Sequence, residues 1–226
     1  MRKLANPFLF LVPRLAAVAA CVLLAHATAR AGAFELGKAA LEQGNFAEAY
    51  CQWKPLAERG HAEAQYNLGW LYANGNGLRM DARQAANWWE RAAKQGHRDS
   101  QFALGLALMG GQGLERDIPQ AAHWFLQAAN AGHEDAQDIL RKMLRENEPL
   151  IHTMLPDLLA QAWLGERSSI KVDKANLRSA PSTDADLIGQ LQQGDEIVIL
   201  ARRKKWVQAA AKKLSSVGWI FGPLVR

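Results

Sequence analysis

Apolar positions between residues 34 and 146 recur at helical spacing. Ala64, Leu68 and Tyr72 stand at i, i+4 and i+8, which places them on one helix face. Ala85, Trp89 and Ala92-Ala93 form a second stripe, and Ala121, Phe125 and Ala128-Ala129 a third. From Ser168 onward the period shortens. The runs Ile170–Val172, Asn176–Arg178, Leu187–Leu191, Glu196–Leu200, Trp206–Ala209 and Gly218–Ile220 are short and β-rich. Ala180-Pro181-Ser182, Gln193-Gly194-Asp195 and Arg202–Lys205 supply the turns between them. Residues 147–167 carry two prolines and a short apolar helix expected over Pro156 to Leu164. That helix reads as a cap on the last open helical face, with Leu159 and Trp163 buried. The pattern predicts helical hairpins followed by a small barrel of five or six strands.

Two glycines, Gly75 and Gly77, precede the helical run from Asp81, and a glycine-rich turn at a helix N-terminus can hold a phosphate. Here the turn recurs. Thirty-six residues on, Gly113 stands for Gly77, Leu114 for Leu78, Asp117 for Asp81, Trp124 for Trp88, and Gly132-His133 for Gly96-His97. Ala64-Gln65 recurs as Ser100-Gln101 and again as Ala136-Gln137, and Leu68-Gly69 as Leu104-Gly105. A fixed period of this length denotes stacked helix-turn-helix units. The glycines then serve the turn, adopting backbone angles closed to other residues. Asp81 and Asp117 fall where an N-cap is needed, and Pro119 fits a first helical turn.

The residues Ala64, Leu68, Gly69, Tyr72, Gly75, Gly77, Asp81, Ala85, Trp88, Ala92, Ala93 and Gly96 together spell a pattern that resembles the Sel1-like repeat, a relative of the tetratricopeptide repeat. The match is dense over 61–132. The second copy departs at Leu108, where the first has Tyr72, and at Gly111 in a shifted GGQG. Phe34 to Gly60 resembles a first unit with a shorter loop at Gly44-Asn45. The resemblance implies an α-solenoid that binds other proteins and is not an enzyme. Asn67, Trp70 and Phe102 on the first helix of each hairpin are the implied partner-binding residues.

Ser168 to Arg226 resembles a bacterial SH3-like domain through Asn176, Arg178, Ser179, Pro181, Ile188, Gly189, Leu191, Gly194, Trp206, Gly218 and Trp219. Ala180 replaces the glycine usual in that turn. Because some members bind peptidoglycan or its peptides, the resemblance implies peptidoglycan or another anionic envelope component as ligand. Its candidate surface residues are Arg178, Trp206, Trp219, Arg202 and Arg203. The two tryptophans also read as barrel core, with part of one ring facing a groove.

Charge and the first residues refine the picture. Arg2 and Lys3 followed by the apolar run Leu15 to Ala25 and small-residue sites at Ala29 to Ala33 have the layout of a secretory leader. The run is too short to favour a membrane span, and no later one is longer. Val18-Ala19-Ala20-Cys21 offers an alternative as a lipoprotein site, but the apolar run continues past it. The expected order is a signal peptide over 1–33, a solenoid over 34–146, a capping helix and linker over 147–167, and the SH3-like domain over 168–226. Four of the 27 basic residues and none of the 22 acidic ones lie in 1–33, so the remainder is nearly neutral. It is polarised: residues 34–167 hold 13 basic and 17 acidic side chains, residues 168–226 hold 10 and 5. An exported protein of this kind has no expected nucleic-acid partner.

Cys51 is the one cysteine beyond the leader, which precludes an internal disulfide, and it reads as a small buried packing residue. Three of the six histidines, His61, His97 and His133, fall in repeat turns. No His/Cys set has metal spacing, no nucleophile stands by a base, and no cofactor is expected. These features favour a periplasmic or secreted adaptor over a wall enzyme or a purely structural envelope protein. A peptidoglycan-binding accessory of a wall-remodelling system is the alternative.

Overall fold

The computed structural model describes residues 32–146 and 148–226. The expected leader and Cys21 lie outside the described residues, apart from Gly32 and Ala33, which belong to the first helix. The fold is a helical-repeat solenoid followed by a six-stranded antiparallel sheet. The chain divides into two compact units, one through Ala92 and one from Ala93.

The first unit contains α1 (32–42), α2 (Phe46–Glu58), α3 (Ala62–Asn74) and all but the last residue of α4 (Ala82–Ala93). Its core gathers Trp53, Leu56, Leu68, Leu71 and Trp88 with the repeat alanines. Small residues on facing stripes let aromatic side chains lie flat between helices. A Cβ on Gly37 would stand 2.7 Å from Cδ1 of Trp53, and one on Gly69 would stand 2.5 Å from Cδ1 of Trp89. Each indole N–H then donates to a carbonyl three residues before its glycine, Trp53 to Phe34 at 3.2 Å and Trp89 to Tyr66 at 3.3 Å. This shared device makes α1–α2 a unit of the same kind as α3–α4, with a shorter loop at Gly44 (φ 76°).

The second unit opens with α5 (Arg98–Gly110), α6 (Ile118–Asn130) and α7 (Glu134–Arg145). Phe125 occupies the aromatic position and is fully buried on Gly105, where a Cβ would come within 2.6 Å of its ring. Burying such a ring stabilises the hairpin by about 2–3 kcal/mol. Pro119 lies in the first turn of α6, as expected. A 3-10 segment (Pro149–Met154) leads into α8 (Leu155–Leu159). The apolar helix thus starts at Leu155 and stops at Leu159, short of the expected Leu164. Gln161 closes it, bonding through its amide N–H to Leu158 and through its side chain to Asp157. Leu159 is buried as expected, whereas Trp163 is half-buried, its Nε1 donating to Asn130 and its ring under the Arg141 guanidinium.

The sheet comprises β1 (Glu166–Ser169), β2 (Lys174–Arg178), β3 (Leu187–Gln192), β4 (Glu196–Arg203), β5 (Trp206–Ala211) and β6 (Ser216–Phe221), in the order β1-β4-β5-β6-β2-β3. Two expectations shift. The first strand begins at Glu166, and of the expected Ile170–Val172 strand there remains a single bridge from Ile170 to Val225. Arg202 and Arg203 belong to β4 and not to its turn, because they pair with Val207 and Trp206 of β5. The turn narrows to Lys204-Lys205, with Lys204 at φ 53°.

Alternation along these strands sorts the side chains. Ala175, Leu177, Leu191, Ile197, Ile199, Val207, Ala209 and Ile220 fill the core. The opposite face carries Val198, Gln208, Ala210 and Val217, which are also buried, toward the helical segment. Gln208 Nε2 donates to the Arg145 carbonyl at the end of α7 at 2.7 Å. Arg167 donates to the Leu159 carbonyl at 2.9 Å, and Arg141 to that of Trp163.

Candidate functional site

The glycine-rich turns carry the one phosphate-like signal of the sequence. Gly75 and Gly77 have φ of 67° and 72°, and Gly111 and Gly113 of 67° and 75°, the left-handed region open to glycine. Gly75 and Gly111 terminate α3 and α5, their N–H groups bonded to Leu71 and Ala107. Gly77 packs against the start of α2, with a Cβ there only 2.7 Å from the Ala47 nitrogen. The Gln84 and Gln120 N–H groups that an anion would use are taken by Asp81 and Asp117 at 3.0 and 2.9 Å. The turn is structural.

Two repeat signatures have roles that sequence reasoning did not assign. His61 and His97 are N-caps: each ring Nδ1 accepts from the N–H three residues on, at 3.2 Å. His133 occupies the same position without capping, and stacks instead on Phe102 with ring centroids 4.2 Å apart. The glutamine of each Ala/Ser-Gln pair reaches back eight residues to the end of the preceding helix. Gln65 donates to Ala57 at 2.9 Å, Gln101 to Ala93 at 3.3 Å and Gln137 to Ala129 at 3.1 Å. The recurring Gln was visible in the sequence; its acceptor was not.

The residues expected to touch a partner lie as follows. Asn67 and Trp70 stand three apart on α3. Trp70 is 36% exposed, one of the large apolar side chains open to solvent, while the Asn67 amide donates to the Glu63 carbonyl. Phe102 is half-buried, held between His133 and Phe125. Its ring is committed to packing. Cys51 is exposed and not buried as expected. It sits about 200° around α2 from Ala49, on the face opposite the stripe of Ala49, Trp53 and Leu56.

On the sheet, a groove of about 420 Å³ is lined by Lys174, Asn176, Arg178, Thr183, Gln190, Trp206, Phe221 and Leu224. Trp206 and Phe221 are cross-strand partners whose rings meet edge to face at 5.7 Å. Asn176 accepts from Gln190 across β2–β3 at 3.0 Å. Arg178 uses one N–H on the Ala185 carbonyl at 2.7 Å, which leaves most of its five donors for a ligand. No carboxylate lines the groove. It therefore offers an aromatic wall, amide groups and two cationic side chains, a set suited to a ligand with both apolar and anionic parts.

Of the expected surface residues, Arg178 and Trp206 meet in this groove. Trp219 is the register partner of Arg178 and Gln208 but does not line it. Arg203 lies opposite Trp206 on β4, and Arg202 pairs with Glu166 at 2.8 Å. The reading of both tryptophans as core is corrected: each is half-buried on the face opposite Val207 and Ile220. Alternation dictates this, since 206 and 219 differ in parity from the inward 207 and 220. Lys174, Thr183, Gln190, Phe221 and Leu224 were not singled out beforehand, although Phe221 shares the parity of Trp219.

Elsewhere in this unit Asp195 accepts from the Gln192 N–H at 2.7 Å and from Lys213 at 2.9 Å, which hold its carboxyl below the usual range. Among the described residues no group of three His, Cys, Asp or Glu side chains is placed to hold a metal ion, and no helix is long and apolar enough to cross a membrane.

Comparison with known proteins agrees with this geometry. The Sel1 repeat family matches residues 62–97 and 98–133, and the bacterial SH3 domain family matches 173–226. Among solved structures, a protective antigen of uropathogenic Escherichia coli displaying an SLR fold is 27% identical over 58% of this chain, with a TM-score of 0.52. A Sel1 repeat protein from Oxalobacter formigenes is 26% identical over 50% of the chain (TM-score 0.48), and Helicobacter pylori cysteine rich protein B 28% identical over 40% (TM-score 0.39). The chain spans 46% of the Oxalobacter protein, 30% of the E. coli protein and 68% of the Helicobacter protein. No curated protein matches it. The chain is a Sel1 repeat protein that carries a bacterial SH3 domain C-terminal to its repeats.

Proposed function

We propose that this protein is an exported, non-catalytic adaptor whose SH3 domain binds cell-wall material while its Sel1 repeats bind a partner protein. The groove at Trp206 carries the proposal. Its aromatic pair suits a sugar or peptide face, and Lys174 with Arg178 suits the carboxylates of wall peptides. On the repeats, exposed Trp70 beside Asn67 is the proposed partner contact, with Phe102 supporting the helix surface by packing. Export rests on the leader pattern of residues 1–33.

Sedimentation with purified peptidoglycan tests the groove. The full chain should pellet with the wall, and Trp206→Ala should lower the bound fraction several-fold while circular dichroism stays unchanged. Equal pelleting of the variant would remove the groove from the account. Capture of a discrete envelope protein, lost on Trp70→Ala, tests the repeats. Release of soluble fragments from wall material by the purified chain would overturn the non-enzymatic assignment.

A further inference from the structure

Away from that groove, α8 and one edge of the sheet enclose a cleft of about 670 Å³, a size typical of sites that hold small ligands. Leu159 and Val198 give it apolar walls, and Arg167, Lys212 and Arg226 line it against a single acid, Glu196. Neighbouring charges are paired, Arg202 with Glu166 and Lys213 with Asp195. The four charged groups of the cleft form no ion pair among the described residues. The side chains of the cleft therefore carry an excess of positive charge, three cations to one acid.

Its edge is a strand edge. β1 is terminal in the sheet and pairs with β4 alone among the strands, while the C-terminal segment covers its far edge from Ser169 onward through Arg226 and the Ile170–Val225 bridge. The Ile170 N–H points to β4's side, donating to Asp195 at 3.1 Å, whereas the Ser169 carbonyl points away and accepts from the Arg226 N–H at 3.0 Å. Strand alternation turns the Arg167 N–H and carbonyl the same way as those of Ser169, along the open edge. The stretch at Arg167, ahead of the C-terminal cover, is the open part of this edge and a template for another strand.

We propose that the cleft is a second binding site, which takes an extended acidic peptide of a protein partner. The peptide adds as a strand beside Arg167, and its carboxylates meet Arg167, Lys212 and Arg226. Backbone bonds set the register and the cationic side chains select acidic residues. This site is separate from the Trp206 groove and does not depend on wall binding.

The test uses the full chain and a blocked pentapeptide alternating valine and glutamate, followed by fluorescence anisotropy and by amide hydrogen exchange. The peptide should bind, weaken as salt rises, and slow exchange of the Arg167 amide. Arg167→Glu together with Lys212→Glu should weaken it roughly tenfold or more. Lys212→Glu alone, at an exposed position, should show part of that loss and guards against misfolding of the double variant. The same peptide with lysine for glutamate, or with N-methylated backbone amides, should not bind. Failure of the glutamate peptide to bind, or equal binding by either control peptide, would overturn the proposal.

Discussion

Trp89 lies across Gly69, its Nε1 donating to the Tyr66 carbonyl at 3.3 Å and its ring filling the space where a side chain on residue 69 would go. Trp53 on Gly37 and Phe125 on Gly105 repeat the arrangement. Alanine in place of a helical glycine ordinarily stabilises by about 0.5–1 kcal/mol. At these positions the new Cβ would displace a packed ring, and overpacking costs about 1–3 kcal/mol. Gly69→Ala and Gly105→Ala should therefore lower the denaturation midpoint. Gly110→Ala, whose nearest neighbour lies 3.4 Å away on a flexible Gln112 side chain, should leave it unchanged or raised. Urea titration of the three variants checks the contrast; similar midpoints would mean that the rings do not set the helix spacing.

Which features were legible in the sequence follows from the range of the interaction. Asp81 and Asp117 accept from N–H groups three residues ahead, and Gly75 and Gly77 reverse a local turn, so spacing alone disclosed them. Cys51 was misplaced because its apolar neighbours suggested burial, while helical phase puts it opposite the Ala49 stripe. The tryptophans of the sheet were misassigned for the same kind of reason: hydrophobicity argued core, and parity argued the outer face. The His133–Phe102 stack joins residues thirty-one apart, and its partner could not be read from either residue's surroundings. The groove combines β2, β3, β5 and β6, so its members become neighbours only through strand order.

The back-reaching glutamines provide a second prediction. Gln65 is 2% exposed and its Nε2 donates to the Ala57 carbonyl at the end of α2. Gln65→Leu removes that bond from a carbonyl that keeps the Gly60 N–H at 3.0 Å, a loss of about 0.5–1.5 kcal/mol. Gln65→Glu should be worse near neutrality, because a carboxylate cannot donate and faces an acceptor. Protonation restores a donor. The glutamate variant should therefore regain stability relative to Gln65→Leu as pH falls, which paired urea titrations at neutral and acidic pH would show.

Tyr72 gives an alkaline signature. Burial first, and then the hydrogen bond with Tyr50 at 3.3 Å, push its hydroxyl up to about 12. The unfolded side chain ionises near its ordinary value, so above that value the folded state holds more protons than the unfolded one. The contribution is complete below the ordinary tyrosine range and is lost as pH rises through about 10 to 12. Tyr72→Phe should remove this part of the alkaline decline. Denaturant midpoints of the two proteins, taken at steps from pH 9 upward, should converge as pH rises; parallel curves would dissociate Tyr72 from the decline.

Gln208 joins the sheet to the repeats' last helix. It lies on the outward face of β5, yet it is only 6% exposed, because its amide donates to the Arg145 carbonyl at 2.7 Å. That carbonyl is one of the last in α7 and has no acceptor role left inside the helix. Buried Val198, Ala210 and Val217 share the face, so the joint is an apolar patch with one directional bond. Gln208→Leu keeps the patch but removes the bond to the Arg145 carbonyl, at a cost of about 0.5–1.5 kcal/mol. Gln208→Glu adds a charge that cannot donate there. Both variants should raise hydrogen exchange at the end of α7 and in β5, the glutamate more than the leucine. The groove at Trp206 is not lined by Gln208 and should keep its affinity for wall material in the leucine variant. Unchanged exchange at Arg145 and its neighbours in both proteins would show that the apolar patch alone holds the joint.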